Sequence, residues 1–112
     1  MKFSKEVLKG VTPFLVLHSL HRLEEAYGYE LMKAIREHSE AIFDFPDSTL
    51  YPVLYRLEEK GLVRSEVKET PNKKDRRYYS LTSKGEKELH ASQKEFRVYL
   101  QGLNHFISPC HG

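Results

Sequence analysis

The chain has 112 residues, of which 39% are hydrophobic and 30% charged, with a formal net charge of +2. This length predicts one domain with one core, and the charge is too mild to indicate a nucleic-acid partner by itself. No apolar run approaches the roughly 20 residues that cross a bilayer, and the first residues do not resemble a secretory signal. The single cysteine, Cys110, excludes a disulfide within the chain, so we expect a cytoplasmic protein without a membrane partner.

The first predicted helix runs from about Ser4 to about Glu25, because apolar residues recur there at helical spacing. Pro13 lies inside this pattern, where it either kinks the helix or marks its true first turn. A break follows in which Gly28 can adopt positive φ. The second helix is predicted from about Tyr29 to His38.

The third helix begins at a start signal after Pro46, with Asp47 as an N-cap candidate, and runs to about Lys60, where Gly61 is a natural C-cap. Its apolar positions follow i, i+3, i+4, i+7 and should face the core; they are Leu50, Val53, Leu54 and Leu57. The opposite face carries Ser48, Pro52, Tyr55 and Glu59, with Tyr51, Arg56 and Thr49 beside it.

A hairpin follows this helix, with strands from Leu62 to about Glu69 and from Arg76 to Leu81 around a turn-rich tip. Four cations crowd the tip and the returning strand: Lys73, Lys74, Arg76 and Arg77. Alternation along a strand predicts that one of Tyr78 and Tyr79 packs inward and the other outward.

The last helix starts at Thr82–Ser83, with Ser83 and Glu86 spaced as a capping box, and ends at Ser108–Pro109. Leu89, Phe96 and Leu103 are spaced close to a heptad. Little of the domain remains for so long a helix to pack against, so we expect its apolar seam to meet another chain; the alternative is a core helix of the same chain. The Cys110–His111 tail is interpreted as a frayed end and not as part of a metal site.

No motif of a nucleotide-binding loop, a metalloprotease or a serine hydrolase is present, so the sequence predicts neither an enzyme nor a cofactor or metal site. The fold class predicted is mainly α with a small β-hairpin (α+β). We expect residues 1–82 to form a DNA-binding domain, which the family resemblance described below implies is a winged helix-turn-helix, and residues 83–108 to form a C-terminal dimerisation helix of the same compact unit.

The short connection between the second and third helices is typical of a helix-turn-helix, in which the second helix of the pair enters the DNA major groove. Its polar face would contact bases and phosphates, and the basic hairpin would follow the neighbouring backbone. The residues predicted to contact DNA are Ser48, Thr49, Tyr51, Pro52, Tyr55, Arg56, Lys73, Lys74, Arg76 and Arg77.

Three stretches, YGYELMKAI, STLYPVLYRLEEKGLV and RRYYSLTSKG, occur in the order found in the PadR family of bacterial transcriptional regulators, which the chain resembles from about Val7 to Leu103. The resemblance implies a winged helix-turn-helix, a homodimer built on the C-terminal helix, and repression that a small ligand relieves. The single short C-terminal helix resembles the compact subgroup, in which some members bind flat aromatic molecules at the dimer interface.

Phe96 lies at about the position where drug-binding relatives carry a tryptophan, a residue that this chain lacks. It is therefore either part of a site for a small aromatic effector or simply a residue of the seam. The residues assigned to the dimer interface or effector site are Val11, Phe14, Leu89, Phe96, Tyr99, Leu100 and Leu103.

The sequence thus predicts a homodimeric, sequence-specific regulator that binds double-stranded DNA at a pseudo-palindromic operator, and the resemblance implies that it is a ligand-responsive repressor. The alternative is a winged-helix module that binds proteins and has lost DNA binding.

Overall fold

The computed structural model describes residues 2–108 of the chain. In this range the elements follow in the order α1 (Lys5–Leu23), α2 (Gly28–His38), α3 (Asp47–Glu59), β1 (Val63–Glu69), β2 (Asp75–Leu81) and α4 (Ser83–Ile107). The fold class predicted from the sequence, mainly α with a β-hairpin, is confirmed. The prediction for Cys110 and His111 lies outside the described residues.

Helix α1 begins after Ser4, whose hydroxyl accepts a hydrogen bond from the Val7 amide at 3.3 Å. Pro13 lies well inside α1, so it does not mark the first turn of the helix. The helix ends at Leu23 because Glu24 adopts a left-handed φ of 71°. Helix α1 therefore ends two residues before the predicted end at about Glu25.

Gly28 does not adopt positive φ as expected, since it is the first residue of α2. Its lack of a side chain serves close packing instead. A Cβ atom at this position would lie 2.7 Å from Cζ of Tyr51 on α3. The glycine therefore lets the start of α2 rest directly against a tyrosine ring of α3.

A single hydrophobic core contains side chains from each of the four helices and from both strands of the hairpin. Its most buried large members are Val16, Leu17, Leu20, Leu31, Leu50, Leu54, Val63 and Leu89. The predicted inner face of α3 is confirmed, because all four of its apolar residues are buried. Burial of one such leucine contributes roughly 1.5–3 kcal/mol, so this face fixes α3 to the domain.

The prediction that Leu89 belongs to the interchain seam of α4 is wrong. Its side chain is only 2% exposed and belongs to the core of its own chain, so it cannot face a partner. The first turns of α4 therefore pack on α1 within the domain, and the exposed part of the seam begins later in the helix.

The hairpin is antiparallel, and its register pairs Val63 with Leu81 and Glu69 with Asp75. The free edge of β2 is covered by the loop before α2, where Ala26 and Tyr79 exchange two backbone hydrogen bonds of 3.0 and 2.8 Å. Tyr79 is buried at 6% exposure whereas Tyr78 is half-buried, which confirms the prediction of one inward and one outward ring.

Helix α3 ends in a Schellman motif. Gly61 takes a φ of 74°, its amide donates to the Glu58 carbonyl at 3.0 Å, and the Leu62 amide donates to the Leu57 carbonyl at 2.9 Å. The expected role of Gly61 at the end of α3 is confirmed.

The end of α3 is joined directly to the start of α4. The Thr82 hydroxyl donates to the Gly61 carbonyl at 2.6 Å, and Lys84 Nζ donates to the Lys60 carbonyl at 2.8 Å. Gly85 packs so closely that a Cβ atom there would lie 3.0 Å from the backbone carbon of Leu62. The corner between the two helices is therefore closely packed.

Two predicted caps are wrong. Thr82 caps α4 by accepting from the Gly85 amide at 3.0 Å, and Ser83 is already the first helical residue. Glu86 pairs with His21 Nδ1 of α1 at 3.1 Å and does not close a capping box. At α3 the N-cap is Pro46, which places Asp47 inside the first turn.

Candidate nucleic-acid interface

The outer face of α3 presents the polar residues that the sequence singled out. Tyr55 is 65% and Tyr51 46% exposed. Ser48, Pro52 and Arg56 are also exposed, and Thr49 is half-buried. Because the opposite face is fixed in the core, these side chains project from a rigid helix into solvent.

The start of α3 is a poor phosphate site. The Thr49 and Leu50 amides both donate to the Pro46 carbonyl, at 3.0 and 3.2 Å, and the proline offers no capping side chain. Asp47 in the first turn brings a negative charge to the positive end of the helix. A phosphate at this end would meet that carboxylate, so α3 is better suited to contact DNA along its side.

A groove of about 570 Å³ separates α3 from the hairpin. It is lined by Tyr51, Pro52, Tyr55, Glu58, Arg77 and Tyr79. Burial raises the pKa of the Tyr79 phenol above its ordinary value. The groove thus combines three tyrosine rings with one arginine and one carboxylate.

The four predicted hairpin cations do not act as one cluster, because Arg76 and Arg77 lie on opposite faces of β2. Arg77 Nη1 donates to Ser65 Oγ at 3.0 Å on the face that looks toward α3. The Arg76 guanidinium carbon lies 5.2 Å from the centre of the Tyr27 ring, on the other face. Only Arg77 therefore lines the groove beside α3.

The two lysines occupy the tip itself. Pro71, Asn72 and Lys73 form a three-residue loop closed by the Thr70 amide, which donates to the Lys74 carbonyl at 3.0 Å. Lys73 adopts a left-handed φ of 59°, the position that a glycine usually takes in such loops. Both lysines are exposed at the far end of the hairpin.

Sequence reasoning missed an aromatic and ionic cluster on the back of the hairpin. The Tyr27 and Tyr78 rings meet edge to face at 5.5 Å, and Lys68 Nζ lies 5.5 Å from the centre of the Tyr78 ring. Lys68 also bonds Glu25 at 2.8 Å, and this hydrogen bond raises the lysine pKa. The alternation of side chains along the two strands places Lys68, Arg76 and Tyr78 on one face of the hairpin, and this pattern could have revealed the cluster.

A second groove, of about 670 Å³, lies between α1 and the middle of α4. It is lined by Glu6, Val7, Gly10, Val11, Glu95, Phe96, Tyr99 and Leu103. Phe96 packs on Phe14 of α1 with ring centres 4.9 Å apart. Of the residues assigned to a dimer interface or effector site, all but Leu89 and Leu100 thus line this groove or pack on its Phe96.

Beyond the groove, α4 carries apolar side chains into solvent. Leu100 is 57% and Phe106 91% exposed, and Ile107 is exposed as well. Within residues 2–108, no helix is long and apolar enough to span a bilayer.

The histidines of α1 are engaged in packing. The His18 ring stacks on that of His38 with centres 5.9 Å apart, and burial lowers the His18 pKa, with further lowering by His38 and Arg22. In the part of the chain that the structure describes, no three histidine, cysteine or acidic residues are arranged to hold a metal ion.

Comparison with known proteins gives a consistent result. The model of the transcriptional regulator PadR-like family matches residues 16–91. A PadR family transcriptional regulator from Eggerthella lenta is 33% identical, covers 93% of this chain and 88% of its own, and superposes with a TM-score of 0.77. A Streptococcus transcriptional regulator is 32% identical, with coverages of 92% and 98% and a TM-score of 0.78. A Clostridium thermocellum regulator is 28% identical, with coverages of 92% and 99% and a TM-score of 0.83.

Proposed function

The chain belongs to the PadR-like family of transcriptional regulators and is a DNA-binding regulator, not an enzyme; from this premise we propose that it acts as a homodimeric repressor that releases DNA when a small ligand binds. The observation that carries the proposal is the pairing of two surfaces on one rigid domain. One is the polar face of α3 beside Arg77, and the other is the apolar groove between α1 and α4.

In the proposed complex α3 lies in the major groove of DNA. Ser48 and Thr49 bond base edges, Pro52 touches a thymine methyl group, and Tyr51 and Tyr55 flank them. Arg56, one turn along the helix, contacts a phosphate, as do Arg77 beside α3 and the two lysines of the tip. Arg76 reaches the backbone from the back of the hairpin, beside Tyr27.

The homodimer is supported by the exposed apolar stripe on α4, which includes Leu100, Phe106 and Ile107. Contiguous apolar surface of this kind usually marks an interface. A two-fold dimer would read a pseudo-palindrome whose half-sites lie about 34–36 Å apart, or a multiple of that spacing.

The effector site is supported by the groove between α1 and α4, whose volume of about 670 Å³ falls within the range of small-molecule pockets. The rings of Phe96 and Tyr99 suit a flat aromatic molecule. Such a ligand releases DNA only if it binds the low-affinity arrangement of the dimer more tightly than the DNA-bound one.

Footprinting on the DNA upstream of the reading frame, followed by anisotropy titrations, tests the proposal. The operator should bind in a salt-dependent manner, and Ser48→Ala or Tyr55→Phe should reduce the preference for operator over scrambled DNA by roughly five- to tenfold. Ser83→Ala is the matched control, since Ser83 is also an exposed serine in the first turn of a helix, α4. Wild-type protein that shows no salt-dependent binding to duplex DNA would favour the alternative of a protein-interaction module.

A further inference from the structure

We propose that Ser65 is a positioning residue for DNA binding: it ties Arg77 of β2 to Glu58 of α3 and so fixes where the Arg77 guanidinium meets a DNA phosphate. The inference rests on the proposed function and adds to it a residue that makes no DNA contact of its own. Neither Ser65 nor Glu58 stands out in the sequence, because each is a common polar residue beside a charged neighbour.

The link consists of two hydrogen bonds through one hydroxyl. Arg77 Nη1 donates to Ser65 Oγ at 3.0 Å, and Ser65 Oγ donates to Glu58 Oε2 at 2.8 Å. The direction of both bonds is fixed, because a guanidinium can only donate and a carboxylate can only accept. A hydroxyl is therefore needed at position 65 to accept on one side and donate on the other.

The register of the hairpin explains why the three groups meet. Val67 is the direct partner of Arg77, and Ser65 is the next residue along β1 on the same face. That face looks toward α3, where Glu58 lies in the last turn of the helix. The link thus joins α3, β1 and β2 beside the groove.

Fold stability is not the main consequence of this link. Glu58 and Arg77 are both exposed, and exposed ionic contacts contribute little to the free energy of unfolding. The link instead restricts a long, flexible arginine before DNA arrives, which lowers the entropy lost on binding. Four of the five guanidinium N–H groups do not face Ser65 and can reach a phosphate.

Glu58 also sets the side from which the phosphate approaches. Its carboxylate lines the same groove and repels a nearby anion. The phosphate contacted by Arg77 must therefore lie on the side of the guanidinium away from Glu58.

A double-mutant cycle on operator DNA tests this assignment. Ser65→Ala should weaken binding about three- to tenfold in the wild-type background and by less than about 1.5-fold in the Arg77→Ala background, because its effect passes through Arg77. Ser65→Thr, which keeps the hydroxyl, should bind like the wild type. Ser80→Ala, on the opposite face of the hairpin, is the matched control and should leave affinity unchanged.

The thermal unfolding midpoint of each variant separates positioning from misfolding, and we expect Ser65→Ala to unfold within about 2 °C of the wild type. Additive effects of Ser65→Ala and Arg77→Ala, or failure of Ser65→Thr to restore affinity, would overturn the inference while leaving the proposed function intact. Wild-type protein that does not bind duplex DNA at all would overturn both.

Discussion

Tyr51 shows how one residue can serve both the fold and the site. Its ring rests against Gly28 at the start of α2, while 46% of its surface remains exposed beside the groove. The ring therefore fixes the contact between the two helices of the helix-turn-helix, and its exposed part is available for the proposed contact with DNA. The position of this tyrosine depends on the absence of a side chain at residue 28.

Replacing Gly28 by alanine should therefore destabilise the domain by about 1–3 kcal/mol, because the new Cβ atom would displace the Tyr51 ring or open the contact between α2 and α3. Gly10→Ala is the control. Gly10 lies inside α1 with nothing within 4 Å of an added Cβ atom, so this change should stabilise by about 0.5–1 kcal/mol. Urea unfolding at one fixed protein concentration measures both. A Gly28→Ala variant as stable as the wild type would contradict the observed packing.

Single residues were also where sequence reasoning was least accurate. It found the starts of α3 and α4 but assigned the wrong caps, because polar neighbours such as Thr82 and Ser83 satisfy the same local rule. The choice between them depends on tertiary contacts, here the bond from Thr82 to the Gly61 carbonyl. For Gly28 the sequence signals a special position, yet the reason, a tyrosine from another helix, is a contact across the fold.

Among the elements, the hairpin differs most from expectation. Its strands were predicted to within one residue, but the separation of Arg76 from Arg77 was not, because the face of each residue depends on the register. The register follows from the tip, where Lys73 takes the left-handed position in place of a glycine. No glycine signals this loop, so the sequence indicates a turn without specifying its pairing.

The lysines at the tip of the hairpin should supply affinity without sequence preference. Changing both Lys73 and Lys74 to alanine should weaken operator and scrambled DNA about equally and should flatten the salt dependence by about 0.9 for each phosphate that is no longer neutralised. Anisotropy titrations between about 50 and about 200 mM salt measure this slope. The matched control is Lys87→Ala with Lys94→Ala, which removes the same charge from exposed positions on α4. An unchanged slope in the tip variant would rule out the assigned role of the hairpin.

As a whole, the described molecule is elongated, with extents of 61 × 29 × 22 Å. Helix α4 has 25 residues, a length of about 37 Å, and its second half extends past the core. A heptad pattern alone does not predict which part of this helix packs within its own chain and which part stays exposed. The structure makes that division, with Leu89 buried and Leu100 exposed.

The exposed part of α4 should hold the proposed dimer together. Leu100→Asp combined with Leu103→Asp should give a monomer in sedimentation velocity, because two buried carboxylates would face the partner helix. These positions are better probes than Phe96, which packs on Phe14 of its own chain. Gln101→Asp, on the opposite side of α4, is the control and should remain dimeric. A persistent dimer in the double variant would contradict the proposed interface.

The tight corner between the end of α3 and the start of α4 has a mechanical consequence. Thr82 and Lys84 bond the carbonyls of Gly61 and Lys60 just beyond the end of α3, so we expect the two helices to move together. In a dimer joined through α4, the crossing angle of the two α4 helices then sets the distance between the two α3 helices. In such a dimer the operator spacing would report that angle, and a ligand bound between α1 and α4 would change DNA affinity without contacting any of the proposed DNA-binding side chains.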